Sequence, residues 1–309
     1  GGDEMVGMEL DEALSLDASG GMEPERALEL SPLTRDFLRM ARTVSEGDIV
    51  DAIHQSEDIL ERSRSMEERD PEIEARVRLE RALLGRVKDG KVGQELRWVA
   101  DRLASIRPGS PGHALSLLNL AAWHASIGET MMALAVHSEI TSAADHPSDL
   151  VALSRLEVGR LHQNLGDEES SLRHLWSSAT RFNEVGMVGE EAIALLEWLD
   201  LALDVITEEA QPMEEIISMS LPRTNLSPSV AASHPDDIRT AALRLCEIIL
   251  KDPAGEKRPD IGLLVDAAHC LSDPTISSIL ADNVNRVEDP QVLEWIHELD
   301  PNGSESDQS

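Results

Sequence analysis

The sequence predicts an all-α protein, an α-solenoid of antiparallel helical hairpins. Apolar residues recur at spacings of three and four from Pro32 to about Ile206, as in Leu117, Leu120 and Ala121, which is typical of amphipathic helices. No segment shows the sustained alternation of apolar and polar residues that predicts a strand. Glycines recur at a regular interval between the helical segments, which indicates a repeat architecture.

The glycine interval is the sharpest repeat signal. Gly90, Gly128 and Gly166 lie 38 residues apart, and Gly47 precedes Gly90 by 43 residues. A glycine lets the chain leave a helix through a left-handed turn, and a small residue early in the next helix lets the two helices pack closely. Such small residues lie five positions after three of the glycines: Ala52, Ala133 and Ser171.

This arrangement resembles the tetratricopeptide repeat family. Ala121 and Gly159 stand at the small position midway along the first helix of a pair, and Ala52 and Ala133 stand near the start of the second. The resemblance covers about residues 32–206 and implies a superhelix whose inner face is formed by the first helix of each pair. It also implies that this face binds a segment of a partner protein.

The remaining segments are assigned from composition and helix signals. Residues 208–236 contain four prolines and at most one short helix, near Met213 to Met219. Asp273-Pro274 and Asp289-Pro290 each predict a helix start. We therefore predict a flexible acidic arm (1–31), a tetratricopeptide-like repeat domain (32–207), a linker or loop (208–236), a C-terminal helical region that extends or caps the array (237–300) and a disordered tail (301–309).

The charge balance excludes two classes of partner. Aspartate and glutamate total 59 against 27 lysines and arginines, which gives a formal charge of −32. Such a field repels nucleic acid and anionic membranes, and no apolar segment approaches the roughly 20 residues of a membrane span. With only two cysteines, Cys246 and Cys270, a reducing, cytoplasmic location is the simplest interpretation.

The sequence contains no recognisable catalytic or cofactor motif. Phosphate-binding glycine loops, a nucleophile elbow and HExxH are all absent. A metal site could in principle include Cys246, His269, Cys270 and His297, but packing on helix faces is the favoured interpretation because compact ligand spacings are missing. The histidines at equivalent repeat positions, His124 and His162, are interpreted as packing residues, with a pH-sensitive or metal-binding ladder as the alternative. We expect no catalytic residues, no metal and no cofactor.

The expected binding surface is the inner face of the repeats. Arg160, Gln163 and Asn164 lie where side chains would face it, and their polar groups can hydrogen-bond an extended peptide or a carboxylate. Lys88 and Ala122 are the predicted contributions of neighbouring helices. For Arg160 the alternative is an ordinary exposed residue that pairs with Glu157.

These observations predict a non-enzymatic protein-interaction module or scaffold. Because the array is acidic, we expect a protein or peptide partner that is basic or apolar, bound less tightly as salt increases. The alternative is a regulatory sensor, in which helical repeats change curvature on binding a peptide or small ligand. An enzyme built on helical repeats is the third hypothesis, and it lacks a clustered set of acid, base or metal ligands.

Overall fold

The computed structural model describes residues 9–208, 212–223, 233–251 and 260–299. Within these residues the protein is entirely helical, with sixteen α-helices and no strand, so the all-α helical-repeat prediction is confirmed. The chain divides into two compact units, residues 1–151 (unit 1) and residues 152–309 (unit 2).

Unit 1 contains the first eight helices and the start of the ninth. Consecutive helices from α3 to α8 pack against one another as hairpins. Their bounds are α1 Leu10–Ala18, α2 Pro24–Glu29, α3 Pro32–Ser45, α4 Ile49–Arg64, α5 Pro71–Leu83, α6 Val92–Ile106, α7 Pro111–Ser126 and α8 Thr130–Glu139, followed by α9 Ser148–Asn164, which crosses the unit boundary.

A recurrent glycine turn reverses the chain between paired helices. In the α7–α8 turn Gly128 has φ +82°. Its N–H donates to the carbonyl of Ala125 (3.1 Å), and the N–H of Glu129 donates to the carbonyl of His124 (2.9 Å). This is the Schellman hydrogen-bond pattern, which satisfies the last carbonyls of the first helix. The same pair of bonds recurs around five other described glycines with positive φ: Gly20 after α1, and Gly47, Gly85, Gly166 and Gly186 between paired helices.

The α5–α6 hairpin corrects the register of the predicted repeat. The glycine that ends α5 is Gly85, whereas Gly90 lies just before the N-cap of α6, Lys91. In the other hairpins one glycine fills both positions. The 38-residue interval between Gly90 and Gly128 therefore aligns helix starts, and the α5–α6 turn is longer than the others by five residues.

The predicted flexible arm is wrong for residues 10–29, which form α1 and α2. Leu10 of α1 belongs to an apolar cluster with Phe37 of α3 and Val77 of α5, and Ala13 is fully buried. Burial of these side chains offsets the entropy of ordering the segment. The low apolar content of residues 1–31 did not predict this order. Two buried side chains, Leu10 and Ala13, suffice because the surface on which they dock is formed by other helices. Residues 1–8 lie outside the described residues.

Unit 2 has one continuous apolar core. It runs from Ala152 in α9 to Ile296 and includes Trp198, which is fully buried. The helices that follow α9 are α10 Glu168–Glu184, α11 Val188–Glu208, α12 Met213–Met219, α13 Pro235–Ile249, α14 Ile261–Leu271, α15 Pro274–Ala281 and α16 Pro290–Leu299. The Asp-Pro helix starts at α15 and α16 are therefore confirmed.

The predicted division at residues 207/208 is not where the compact units separate. Helix α11 packs against α13 and α14, so the C-terminal helices share a core with the last repeats. The described ends of the predicted linker are also anchored: Ser233 Oγ donates to the carbonyl of Ala202 (2.8 Å), and the N–H of Arg223 donates to Asp237 (2.8 Å). The short helix α12 forms where it was predicted, whereas residues 209–211, 224–232, 252–259 and 300–309 lie outside the described residues.

The small residue midway along α9 has the predicted packing role. A Cβ placed on Gly159 would lie 2.8 Å from two side-chain carbons of Leu175 in α10. Leu175 is fully buried, so it has little room to move away. Glycine at residue 159 thus sets how closely α9 and α10 approach.

We expect Gly159→Ala to lower the free energy of unfolding by roughly 1–3 kcal/mol, because the added methyl overpacks the α9–α10 contact. Urea denaturation followed by tryptophan fluorescence, to which the buried Trp198 of unit 2 contributes, measures the change. The matched control is Gly189→Ala in the first turn of α11, where an added Cβ meets nothing within 4 Å. Equal stability of the two variants would contradict the packing role.

Candidate functional site

The structure places the five predicted binding residues in different settings. Arg160, Gln163 and Asn164 lie in the last two turns of α9, where Gln163 and Asn164 are exposed. Ala122 is an exposed residue of α7. Lys88 was predicted on a helix, but it lies in the turn after α5 and is exposed there.

Arg160 is already engaged by two carboxylates. Its Nε donates to Glu197 Oε2 (2.9 Å) and its Nη2 to Glu197 Oε1 (2.5 Å), a bidentate pair between α9 and α11. Its Nη1 donates to Glu157 Oε1 (2.5 Å). These bonds raise the pKa of Arg160, with the Glu197 contact as the largest cause. The pairing with Glu157 expected in the alternative assignment is present, but Arg160 is half-buried and its bidentate partner is Glu197, so Arg160 also joins α9 to α11.

Helices α9 and α11 present matching stripes of side chains. The α9 stripe is Leu153, Glu157, Arg160 and Asn164, and each member has a counterpart 40 residues later in α11: Ile193, Glu197, Asp200 and Asp204. Both stripes follow the i, i+4, i+7, i+11 spacing of one helix face. Sequence reasoning missed the α11 stripe because it aligned the repeats on glycines, and the α10–α11 glycine was not part of that alignment.

The α11 stripe continues onto α14 as a group of carboxylates. Burial and the neighbouring Asp204 raise the pKa of Asp200, and burial and Asp200 raise the pKa of Asp266 in α14. No ion pair involves Asp200, Asp204 or Asp266 within the described part of the chain. We call these three residues together with Leu153 and Ile193 the acidic face of unit 2.

Two apolar side chains lie on the acidic face. Leu153 is 36% exposed and Ile193 is 47% exposed, both large values for branched aliphatic residues on structured helices. A cation could form ion pairs with the carboxylates of this face. An apolar side chain next to that cation could be buried against Leu153 and Ile193.

The equivalent histidines each bind the carboxylate that follows their glycine turn. His124 Nδ1 lies 2.7 Å from Glu129 Oε2, and His162 Nδ1 lies 3.1 Å from Asp167 Oδ2. His162 also stacks on His174 of α10, with ring centroids 5.5 Å apart. The histidines thus pack and cap their own turns. Among the described residues no three His, Cys, Asp or Glu side chains are grouped to bind a metal.

His174 makes unit 2 sensitive to acid. Burial lowers its pKa from 6.5 to about 4, with Arg155, His162 and Arg173 opposing its protonation and Asp167 favouring it. His174 is therefore protonated near pH 6.5 in the unfolded chain but only near pH 4 in the folded chain. Stability is full above pH 6.5 and falls as the pH drops through this window.

We expect His174→Gln to remove roughly 3 kcal/mol of this acid-induced loss of stability. Urea denaturation at a series of pH values between 7 and 4 measures the effect. His297→Gln provides the control, since His297 is exposed in α16. If the stability of His174→Gln falls with acid as steeply as that of the unmodified chain, another group carries the dependence.

The cysteines and tryptophans differ in their surroundings. Cys246 is buried in α13, where burial raises the pKa of its thiol to about 11, and both cysteines are free. Trp198 is a core residue, whereas Trp295 is 37% exposed. None of the described helices has both the length and the apolar composition needed to cross a bilayer.

Comparisons with known proteins give only distant structural similarities. No protein-family model matches the sequence, and no curated protein sequence does either. The fold is similar to BtubC (BKLC) from P. vanneervenii, with 14% identity, a TM-score of 0.33 and coverage of 92% of this chain and 95% of that one. It is also similar to a Rap protein complexed with competence and sporulation factor, with 12% identity, a TM-score of 0.43 and coverage of 94% and 81%. Both TM-scores lie below 0.5, so neither similarity bears on function.

Proposed function

We propose that the protein is a non-enzymatic interaction module that binds a basic segment of a partner protein on the acidic face of unit 2. The observation that carries this proposal is the group of three carboxylates, Asp200, Asp204 and Asp266, which form no ion pair among the described residues, although His269 acts to lower the pKa of Asp266. A lysine or arginine from a partner would supply the missing charge.

The raised pKa values of Asp200 and Asp266 support a binding role because they imply that these carboxylates destabilise the folded chain. Where folding raises the pKa of a carboxyl group, the charged form is less stable in the folded chain than in the unfolded one. Asp200 and Asp266 therefore lower the stability of unit 2 at neutral pH. Nearby Glu157 and Glu197, by contrast, share the guanidinium of Arg160. Uncompensated charges retained beside compensated ones favour a functional role over a structural one.

The apolar members of the face define the partner further. Leu153 and Ile193 are repeat-equivalent residues of α9 and α11, so they present two apolar contacts on neighbouring helices. A partner segment that carries one or two aliphatic side chains among its cations would cover both. This proposal retains the predicted basic or apolar partner but moves its main contacts from Arg160 to α11 and α14.

The free thiols Cys246 and Cys270 support a reducing compartment, and we place the interaction in the cytoplasm. We assign no enzymatic role to the acidic face.

The test is binding of a fluorescein-labelled amphipathic peptide that carries Lys and Leu in alternation along one helix face. We expect the triple variant Asp200→Asn, Asp204→Asn, Asp266→Asn to weaken binding by at least about ten-fold, because three charge contacts are lost. Fluorescence anisotropy at 50 and 300 mM salt gives the Kd and its salt dependence. Since the substitutions remove repulsion, thermal stability is expected to rise slightly rather than fall.

A matched control separates the acidic face from the general negative field of the chain. Glu168→Gln, Glu184→Gln, Glu294→Gln changes the net charge by the same amount at exposed positions elsewhere in unit 2. Equal loss of affinity in both triple variants would show that only the overall charge matters and would reject the site. A peptide with Glu in place of Lys is expected not to bind the acidic face.

A further inference from the structure

Helix α1 lies on a surface of unit 1 formed by α3, α5 and the start of α7. Three ion pairs tie it there: Glu9 with Arg107, Asp11 with Arg76, and Asp17 with Arg42. Leu10 and Ala13 point into the same surface and are buried, in contact with side chains of α3 and, for Leu10, α5 as well. This surface therefore already accommodates an acidic amphipathic helix.

The central contact of this surface is buried and incompletely satisfied. Arg76 Nη1 donates to Asp11 Oδ1 (2.6 Å), and the second oxygen of Asp11 accepts from the N–H of Gly112 (3.5 Å). Arg76 is 7% exposed, and its buried Nε has no hydrogen-bond partner. Gly112 provides the space, because a Cβ there would collide with the guanidinium. A carboxylate that reached both Nε and Nη would satisfy Arg76 better than Asp11 does.

Helix α1 is attached to α3 by residues 19–31, in which Leu30 is the one buried residue. The helix has nine residues, too short to be stable when it is not docked. Helix α2, which follows it, has no buried residue, and Leu28 is 74% exposed. Release of α1 would therefore expose the surface without removing the contacts between α3 and α5.

We propose that this surface of unit 1 is a binding site for an acidic amphipathic segment of another protein, and that α1 is a displaceable intramolecular ligand of that site. The expected ligand presents an aliphatic side chain next to a carboxylate, as Leu10 and Asp11 do, with the carboxylate placed to engage Nε of Arg76. Its affinity is set by competition with α1. The site lies in unit 1 and does not depend on the carboxylates of the acidic face.

The arginines of this surface are paired with carboxylates of α1 and lie near carboxylates of α5. Glu72 and Glu80 of α5 lie near the guanidinium, and burial raises the pKa of each. Arg107 faces Glu72 and Glu9, and Arg42 faces Asp17. Without α1, the arginines that pair with it would lose three carboxylates at once, which leaves a local site for anions on a chain of strongly negative net charge.

The test uses the full chain with Asp11→Arg, which places two cations together and releases α1. Glu12→Arg is the control, since it makes the same charge change at the exposed neighbour, whose ion pair within the described residues is with Arg26 at 3.9 Å. Hydrogen exchange followed by mass spectrometry reports α1, α3 and α5 separately. We expect Asp11→Arg to lose protection at residues 10–18 alone and Glu12→Arg to retain it.

The second measurement is binding of a labelled peptide with the sequence of residues 9–19, ELDEALSLDAS. We expect Asp11→Arg to bind it at least ten-fold more tightly than the unmodified chain, and Asp11→Arg, Arg76→Asp to restore docking of α1 and lose the peptide. Two results would overturn the proposal. One is loss of protection in α3 and α5 together with α1, in both Asp11→Arg and the milder Asp11→Asn, which would make α1 an integral part of the fold. The other is release of α1 without any gain in peptide affinity.

Discussion

The glycine turn between paired helices is the constraint on which the hairpins depend. Each turn must end one helix, satisfy its last carbonyls and start the next helix within about three residues. A left-handed residue achieves this with two backbone hydrogen bonds, and glycine adopts that conformation without steric cost. Once the reversal is fixed, the apolar stripes of neighbouring helices face each other, and burial of those stripes supplies most of the stability.

The sequence was sufficient to predict the fold because the turn and the helix period are local signals. Gly47, Gly128 and Gly166, the Asp-Pro helix starts and the small residue Gly159 have the structural roles expected of them, whereas Gly90 precedes a helix and Gly85 ends one. The docking of α1 was not predictable in this way. Besides the burial of Leu10 and Ala13, its docking involves Arg76 and Arg107, which lie 65 and 98 residues away from their partners, and no local pattern reports such a pairing.

The candidate site shows the same division between local and distant information. Arg160 was correctly placed on α9, but its bidentate contact with Glu197 depends on which helix packs beside it. The α11 stripe could have been found from the 40-residue offset that relates Leu153 to Ile193, had the repeats been aligned on helix faces instead of turns. The contribution of Asp266 could not have been found, because α14 follows a stretch that departs from the repeat pattern.

The long α5–α6 turn shows how this architecture tolerates changes in length. Gly85 ends α5 and Gly90 precedes α6, and both have positive φ, so residues 86–89 lie between them. In the shorter turns a single glycine has both roles. The helices on either side keep their packing across this longer turn, in which Val87 packs against the apolar cluster that includes Leu79 and Leu103, whereas Lys88 and Asp89 are exposed. An affinity tag or a fluorescent reporter inserted between the exposed residues Lys88 and Asp89 would therefore leave both helices in place and provide a handle for purification and imaging.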